Sequence, residues 1–167
     1  MLHAKDLEIV RIKQLMRSPA VTATSRVPVW QVASIMDEFG CSFLPIVKDG
    51  VAIGVVTARD LITRLAQKKR PGLAIPVDQI MTTPVVQVAE DADAEDVLVL
   101  MREKRIHRVV VTNPLGQITG VASLADFAGH VPDDCLRLHL QRHAERCMKS
   151  ASYLDAVPPK PAVHRLD

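Results

Sequence analysis

Thr57 and Asp60 stand three residues apart and follow Gly54, and Ser123 and Asp126 repeat the arrangement after Gly120. A hydroxyl and a carboxylate at this spacing make a compact polar corner. An ionised carboxylate accepts hydrogen bonds through two oxygens and needs no proton, which suits the two cis hydroxyls of a ribose. The hydroxyl reads as a donor to a ribose or phosphate oxygen, and the glycine as the residue that lets backbone and ligand approach closely. Where such a corner opens a helix, the first N–H groups lack intrahelical partners and can receive a phosphate or hydroxyl. The structural alternative is equally direct for one copy: Thr57 caps a helix, and Asp60 or Asp126 favours its dipole. Two copies in corresponding places favour a site built twice.

The elements that must position these corners are also duplicated. Gln14-Leu15-Met16 with Pro19 recurs as Gln79-Ile80-Met81 with Pro84, 65 residues on, and Gly54 to Asp60 recurs as Gly120 to Asp126, 66 residues on. In the first repeat a short helical turn at 11–16 ends before Pro19, whose ring restricts its predecessor to extended geometry. Val21 to Ala23 reads as extended. Val29, Val32, Ala33, Met36 and Phe39 recur at helical intervals, and Gly40 closes that helix. Phe43 to Val47 and Val51 to Val56 read as strands around a Lys48-Asp49-Gly50 hairpin turn, and Ala58 to Gln67 as a helix capped by Thr57. The second repeat follows the same order: extended Val85 to Val88, helix Ala94 to Lys104, strand Val109 to Val111, turn Asn113 to Gly116, strand Ile118 to Ala122, and a helix after Ser123. The organisation is then a first repeat over 11–70, a linker over 71–76, a second repeat over 77–130, and a C-terminal helix and loose tail over 131–167. The fold class is α+β, with two β-α-β-β-α repeats. So short a sheet leaves one face bare, and two repeats can cover each other through their sheets.

Composition narrows the function classes. The chain has 167 residues, 48% of them hydrophobic, and five aromatic residues. Aliphatic side chains must fill the core, and broad stacking platforms for nucleic acid are not expected. A net charge of +2 is too small to point to a polyanion. No stretch is long enough for a membrane span. Met1 to Arg11 lacks the apolar core of a signal peptide. Three unevenly spaced cysteines make no disulfide framework, so a cytoplasmic protein is expected.

With these features in place, the chain resembles a tandem CBS-domain pair, also called a Bateman module, over residues 11–130. The resemblance rests on Leu15-Met16 with Pro19, Ile80-Met81 with Pro84, the Phe43 to Val47 strand and both Gly-x-x-[Thr/Ser]-x-x-Asp endings. It implies pseudo-two-fold symmetry between the repeats and a freestanding regulatory module that binds AMP, ADP or ATP, or S-adenosylmethionine, between its sheets. Thr57, Asp60, Ser123 and Asp126 then contact ribose or phosphate. Val21, Thr22 and Ala23 line one adenine pocket, and Val86, Gln87 and Val88 the other. The resemblance also implies a phosphate-binding His-Arg pair at the start of the second strand. His107 and Arg108 match it, whereas the first repeat has Ser42 and Phe43 there. The two clefts should therefore differ, with Arg59 and Arg17 as alternative sources of positive charge. A homodimer and a separate regulated protein are further implied.

No catalytic constellation or phosphate-binding loop is present in the sequence, so no enzyme activity is expected. Asp91, Asp93, Glu95 and Asp96 cap and favour a helix start. Cys135, His139, His143 and Cys147 fall at four-residue spacing, but each such step drifts around a helix, so one straight helix cannot wrap all four about a tetrahedral metal. No metal site is assigned, and the bland role of this helix is docking. Two alternatives to a nucleotide sensor stay open: a non-binding structural or protein-interaction module, and a metal- or nucleic-acid-responsive regulator acting through the C-terminal helix.

Overall fold

The computed structural model describes residues 9–67 and 74–132, together with 134, 136, 137, 140 and 141. Two three-stranded sheets share one topology. In the first, β1 (Ala23–Thr24) runs parallel to β2 (Phe43–Lys48), and β3 (Val51–Thr57) returns antiparallel. Helix α1 (Val29–Glu38) makes the crossover between β1 and β2, and α2 (Ala58–Gln67) follows β3 without a break. In the second, β4 (Gln87–Ala89), α3 (Ala94–Lys104), β5 (Arg108–Thr112) and β6 (Ile118–Ser123) repeat the plan.

Local chemistry accounts for these boundaries. Asp49 and Gly50 both have positive φ, at 52° and 80°, as a two-residue hairpin turn demands. Gly40, at φ 57°, ends α1. Asp93 caps α3 by accepting the Glu95 N–H at 2.8 Å, with Glu95 and Asp96 in the first turn. Val29, Val32 and Met36 are the buried stripe of α1, and Val97, Leu98 and Met101 that of α3. The helix expected after Ser123 is a single 3-10 turn, Leu124–Phe127. Ala128 is extended and Gly129 turns to φ 77°, so the chain leaves the helical path while Phe127 and Val131 fill the core.

The leading segments are exchanged between the repeats. Ile12 and Leu15 lie in the core of the second repeat, with Val97, Met101 and Phe127. Val77 and Ile80 lie in the core of the first, with Val32, Leu44 and Leu61. Arg17 pairs with Val121 on β6, and Thr82 with Val55 on β3. The glycines of the two motifs make this possible. A Cβ on Gly54 would stand 2.3 Å from Met81 Sδ, and one on Gly120 2.5 Å from Met16 Sδ and 2.8 Å from the Arg17 carbonyl oxygen. Gly54 therefore admits a methionine of the other repeat, where the motif alone pointed to a ligand. The sheets also meet at their hairpins, where the Ile118 N–H donates to the Gly50 carbonyl.

Of the C-terminal segment, Asp134, Leu136, Arg137, Leu140 and Gln141 are helical, and Leu136 packs against the second core. Cys135, His139, His143 and Cys147, the tail and residues 71–73 of the linker lie outside the described residues.

Candidate functional site

Each polar corner sits where a strand passes directly into a helical turn, and each closes on itself. The Thr57 N–H and hydroxyl donate to Asp60 Oδ2 at 2.9 and 2.6 Å, and the Asp60 N–H donates back to Thr57 Oγ1 at 3.1 Å. The Ser123 N–H and hydroxyl donate to Asp126 Oδ2 at 2.7 and 2.6 Å, in the same capping box. The next N–H groups are also taken: Ala58 donates to the Ser42 carbonyl and Leu124 to the His107 carbonyl. With both hydroxyls donating to their own carboxylates, the Thr57 and Ser123 oxygens are left as acceptors in this arrangement. At each helix start the N–H groups of the strand-end residue and of the one after it are taken within the fold. Each corner keeps two acceptor sites, the second lone pair of Oδ1 and one on the hydroxyl oxygen, enough for a pair of sugar hydroxyls.

The Oδ1 atoms have different cationic partners. Asp60 Oδ1 meets Arg64 Nη2 at 3.1 Å, one helical turn on. The same guanidinium donates to the Ile80 and Met81 carbonyls and, at 2.7 Å, to Thr82 Oγ1, so it fastens α2 to the exchanged segment of the second repeat. Asp126 Oδ1 meets Arg17 Nε at 3.2 Å. Arg17 thus serves the second corner, not the first, because its segment has crossed over. Burial raises the pKa of Asp126, but hydrogen bonds from the Ser123 side chain and backbone, then the hydrogen bond and charge of Arg17, outweigh it and the net shift is downward. The carboxylate is ionised at neutral pH.

Strand register brings the remaining residues toward the corners. Ala23 pairs with Ile46 and Phe43 with Thr57, so the first wall and the first corner are three residues apart along β2, about 10 Å. On β5, Gln87 pairs with Val110 and Arg108 with Ser123, a separation of two residues, about 7 Å. Val21, Thr22 and Val86 are partly buried and Gln87 is exposed. Ala23 and Val88 point into the cores, so only their backbone faces any ligand. His107, Arg108, Ser123, Leu124 and Ala125, with Leu140 from the C-terminal segment, line a cavity of about 200 Å³ that shares Ser123 with the second corner. Arg108 Nη2 also donates to Ser42 Oγ at 3.0 Å, which joins the two strand starts that differ between the repeats. Arg59 is exposed, and its guanidinium makes no contact to either carboxylate among the described residues. Arg64 was missed in the sequence, although its i,i+4 spacing from Asp60 was the signal for it. Among the described residues no group of three His, Cys, Asp or Glu could hold a metal ion, and no helix is long and apolar enough to cross a membrane.

Comparison with known proteins agrees with this geometry. The CBS domain family model matches residues 12–67 and 77–133. L-aspartate semialdehyde sulfurtransferase of Methanocaldococcus jannaschii is 27% identical over 121 residues, 72% of this chain; the chain spans only 23% of that relative. The solved CBS domain pair of protein MJ0100, in complex with 5′-methylthioadenosine and S-adenosyl-L-methionine, superposes with a TM-score of 0.65 at 26% identity, over 72% of this chain and 94% of that one. CBS domain protein PAE2072 from Pyrobaculum aerophilum, complexed with AMP, shares the fold at a TM-score of 0.65 and 24% identity, over 72% and 92% of the two chains. Two matched repeats, one shared topology and a carboxylate corner at the end of each sheet place this chain in the CBS domain family, as a tandem pair.

Proposed function

We propose that the chain is a sensor of an adenosine nucleotide, with the Asp126 corner as its working site. The observation that carries this reading is the difference between the corners. The second gathers Asp126, Ser123, His107, Arg108 and Arg17 around the end of β6 and the start of β5. The first has Ser42 and Phe43 at the matching strand start, and its Arg64 is spent on backbone carbonyls. The ligands of the MJ0100 pair support an adenosine-derived ligand. The cations of the second corner favour AMP, ADP or ATP over the positively charged S-adenosylmethionine.

Ligand acts on a regulatory module only through unequal affinity for two of its states. The output surface in this reading is a second copy of the chain, and through it a separate regulated protein. An apolar groove of about 400 Å³ between α1 and α2, lined by Val29, Met36, Leu61, Ile62 and Leu65, supports the dimer; Trp30 on α1, Phe39 just past its C-terminal end and Ile62 are large and exposed. The reading places the protein in the cytoplasm, in keeping with the free Cys41. The test is calorimetric titration of nucleotide-stripped protein with AMP, alone and against S-adenosylmethionine. Saturable AMP binding that S-adenosylmethionine displaces poorly is expected. No heat with any adenosine compound, together with an unchanged melting temperature, would transfer the protein to the class of interaction modules.

A further inference from the structure

We propose that Arg17, contributed by the first repeat, is the phosphate-selecting residue of the second repeat's corner. The inference rests on the nucleotide-sensor reading and deepens it. A guanidinium carries five N–H donors in a planar fork. Arg17 uses Nε on Asp126 Oδ1, and its two Nη groups have no hydrogen-bond or ion-pair partner among the described residues. Its side chain is 70% exposed while that of Asp126 is 12% exposed, so the cation stands on the solvent side of a recessed carboxylate. Held through Nε, the fork presents its paired Nη donors outward, the arrangement that receives two oxygens of a phosphate. A nucleotide whose ribose hydroxyls are accepted by Asp126 and Ser123 would carry its phosphate within reach of the same guanidinium.

Arg64 is the internal control. It makes the equivalent contact to Asp60, but both of its Nη groups are committed, to Ile80, Met81, Thr82 and Asp60 itself. The first corner therefore has a cation with no fork to offer. The difference follows from the exchange of leading segments: position 17 brings an arginine to the second corner, and position 82 brings a threonine to the first.

The test compares AMP with adenosine, which lacks the phosphate, on the wild type, Arg17→Ala and Arg17→Lys. Arg17 is tied to β6 through its backbone, in bonds with Val121 that the substitutions keep, and melting temperatures verify folding. Arg17→Ala should weaken AMP by at least roughly tenfold, the scale of a lost charge-assisted contact, and leave adenosine within about twofold of its wild-type affinity. Arg17→Lys should restore part of the loss, since it keeps the charge without the fork. Equal weakening of both ligands would make Arg17 a support for Asp126 and overturn the selectivity role. Unchanged AMP affinity in Arg17→Ala, with binding to the wild type intact, would overturn the Arg17 assignment alone. A wild type that binds neither ligand would overturn the sensor reading and this one with it.

Discussion

Substituting the two motif glycines by alanine should have unequal effects, because the structure sets different atoms in the way. The three atoms nearest an added methyl at Gly54 all belong to the Met81 side chain: Sδ, Cγ at 2.8 Å and Cβ at 3.2 Å. A methionine can rotate aside, so the overpacking cost falls at the low end of its usual range, about 1 kcal/mol. At Gly120 the methyl meets Met16 Sδ at 2.5 Å and also the Arg17 carbonyl at 2.8 Å. That carbonyl accepts the Val121 N–H at 3.1 Å and cannot retreat without lengthening the bond that holds the exchanged segment to β6. Gly120→Ala should therefore cost about 2–3 kcal/mol. At about 2–4 °C per kcal/mol for a chain of this size, thermal denaturation should fall by about 2–4 °C for Gly54→Ala and by about 4–12 °C for Gly120→Ala. Double variants sharpen the test, since residues in contact do not act additively. Met81→Ala should relieve most of the cost of Gly54→Ala, whereas Met16→Ala should relieve at most about half that of Gly120→Ala. Full rescue of Gly120→Ala by Met16→Ala, or a Gly54→Ala variant as stable as the wild type, would refute the exchange of leading segments.

Three further predictions concern the polar groups. Arg64→Met should lower stability in urea by about 1–3 kcal/mol because it removes several hydrogen bonds joining α2 to the exchanged segment, whereas loss of the exposed Arg17 ion pair should cost under about 1 kcal/mol. The folded-state pKa of Asp126 is depressed, so its contribution to stability is complete above the ordinary carboxylate range and is lost as pH falls through the lower folded-state value. Unfolding free energies measured from roughly pH 5 to pH 2 should decline less steeply in Asp126→Asn than in the wild type. Asp93→Ala should cost about 0.5–2 kcal/mol through loss of the α3 cap, read as a lower urea midpoint with an unchanged slope.

Much of this fold is legible in the sequence where one local signal dominates. Ala58 to Gln67 and Ala94 to Lys104 begin where Thr57 and Asp93 cap them, and the Asp49-Gly50 turn follows from the positive φ it requires. The exchange of leading segments is not legible. Leu15-Met16 and Ile80-Met81 are nearly equivalent locally, and only packing decides which sheet each one meets. That is why Arg17 arrives at the second corner and why Gly54 and Gly120 admit methionines. The helix after Ser123 resembled α2 in pattern, but Gly129 and Pro132 divert the chain and leave Phe127 to fill the core. At the site, residue types and spacing identified the carboxylates and hydroxyls. They did not reveal that each hydroxyl proton is already committed to its own carboxylate.

The central claim is that one of two similar corners is the working site. It is tested most directly by calorimetric titration of AMP into the wild type, Asp126→Ala and Asp60→Ala under the same conditions. One site per chain is expected, with affinity reduced in Asp126→Ala by roughly 1.5–3 kcal/mol, the scale of lost hydrogen bonds to a charged group, and retained in Asp60→Ala. Affinity lost in Asp60→Ala and kept in Asp126→Ala, or the same in all three proteins, would contradict the assignment.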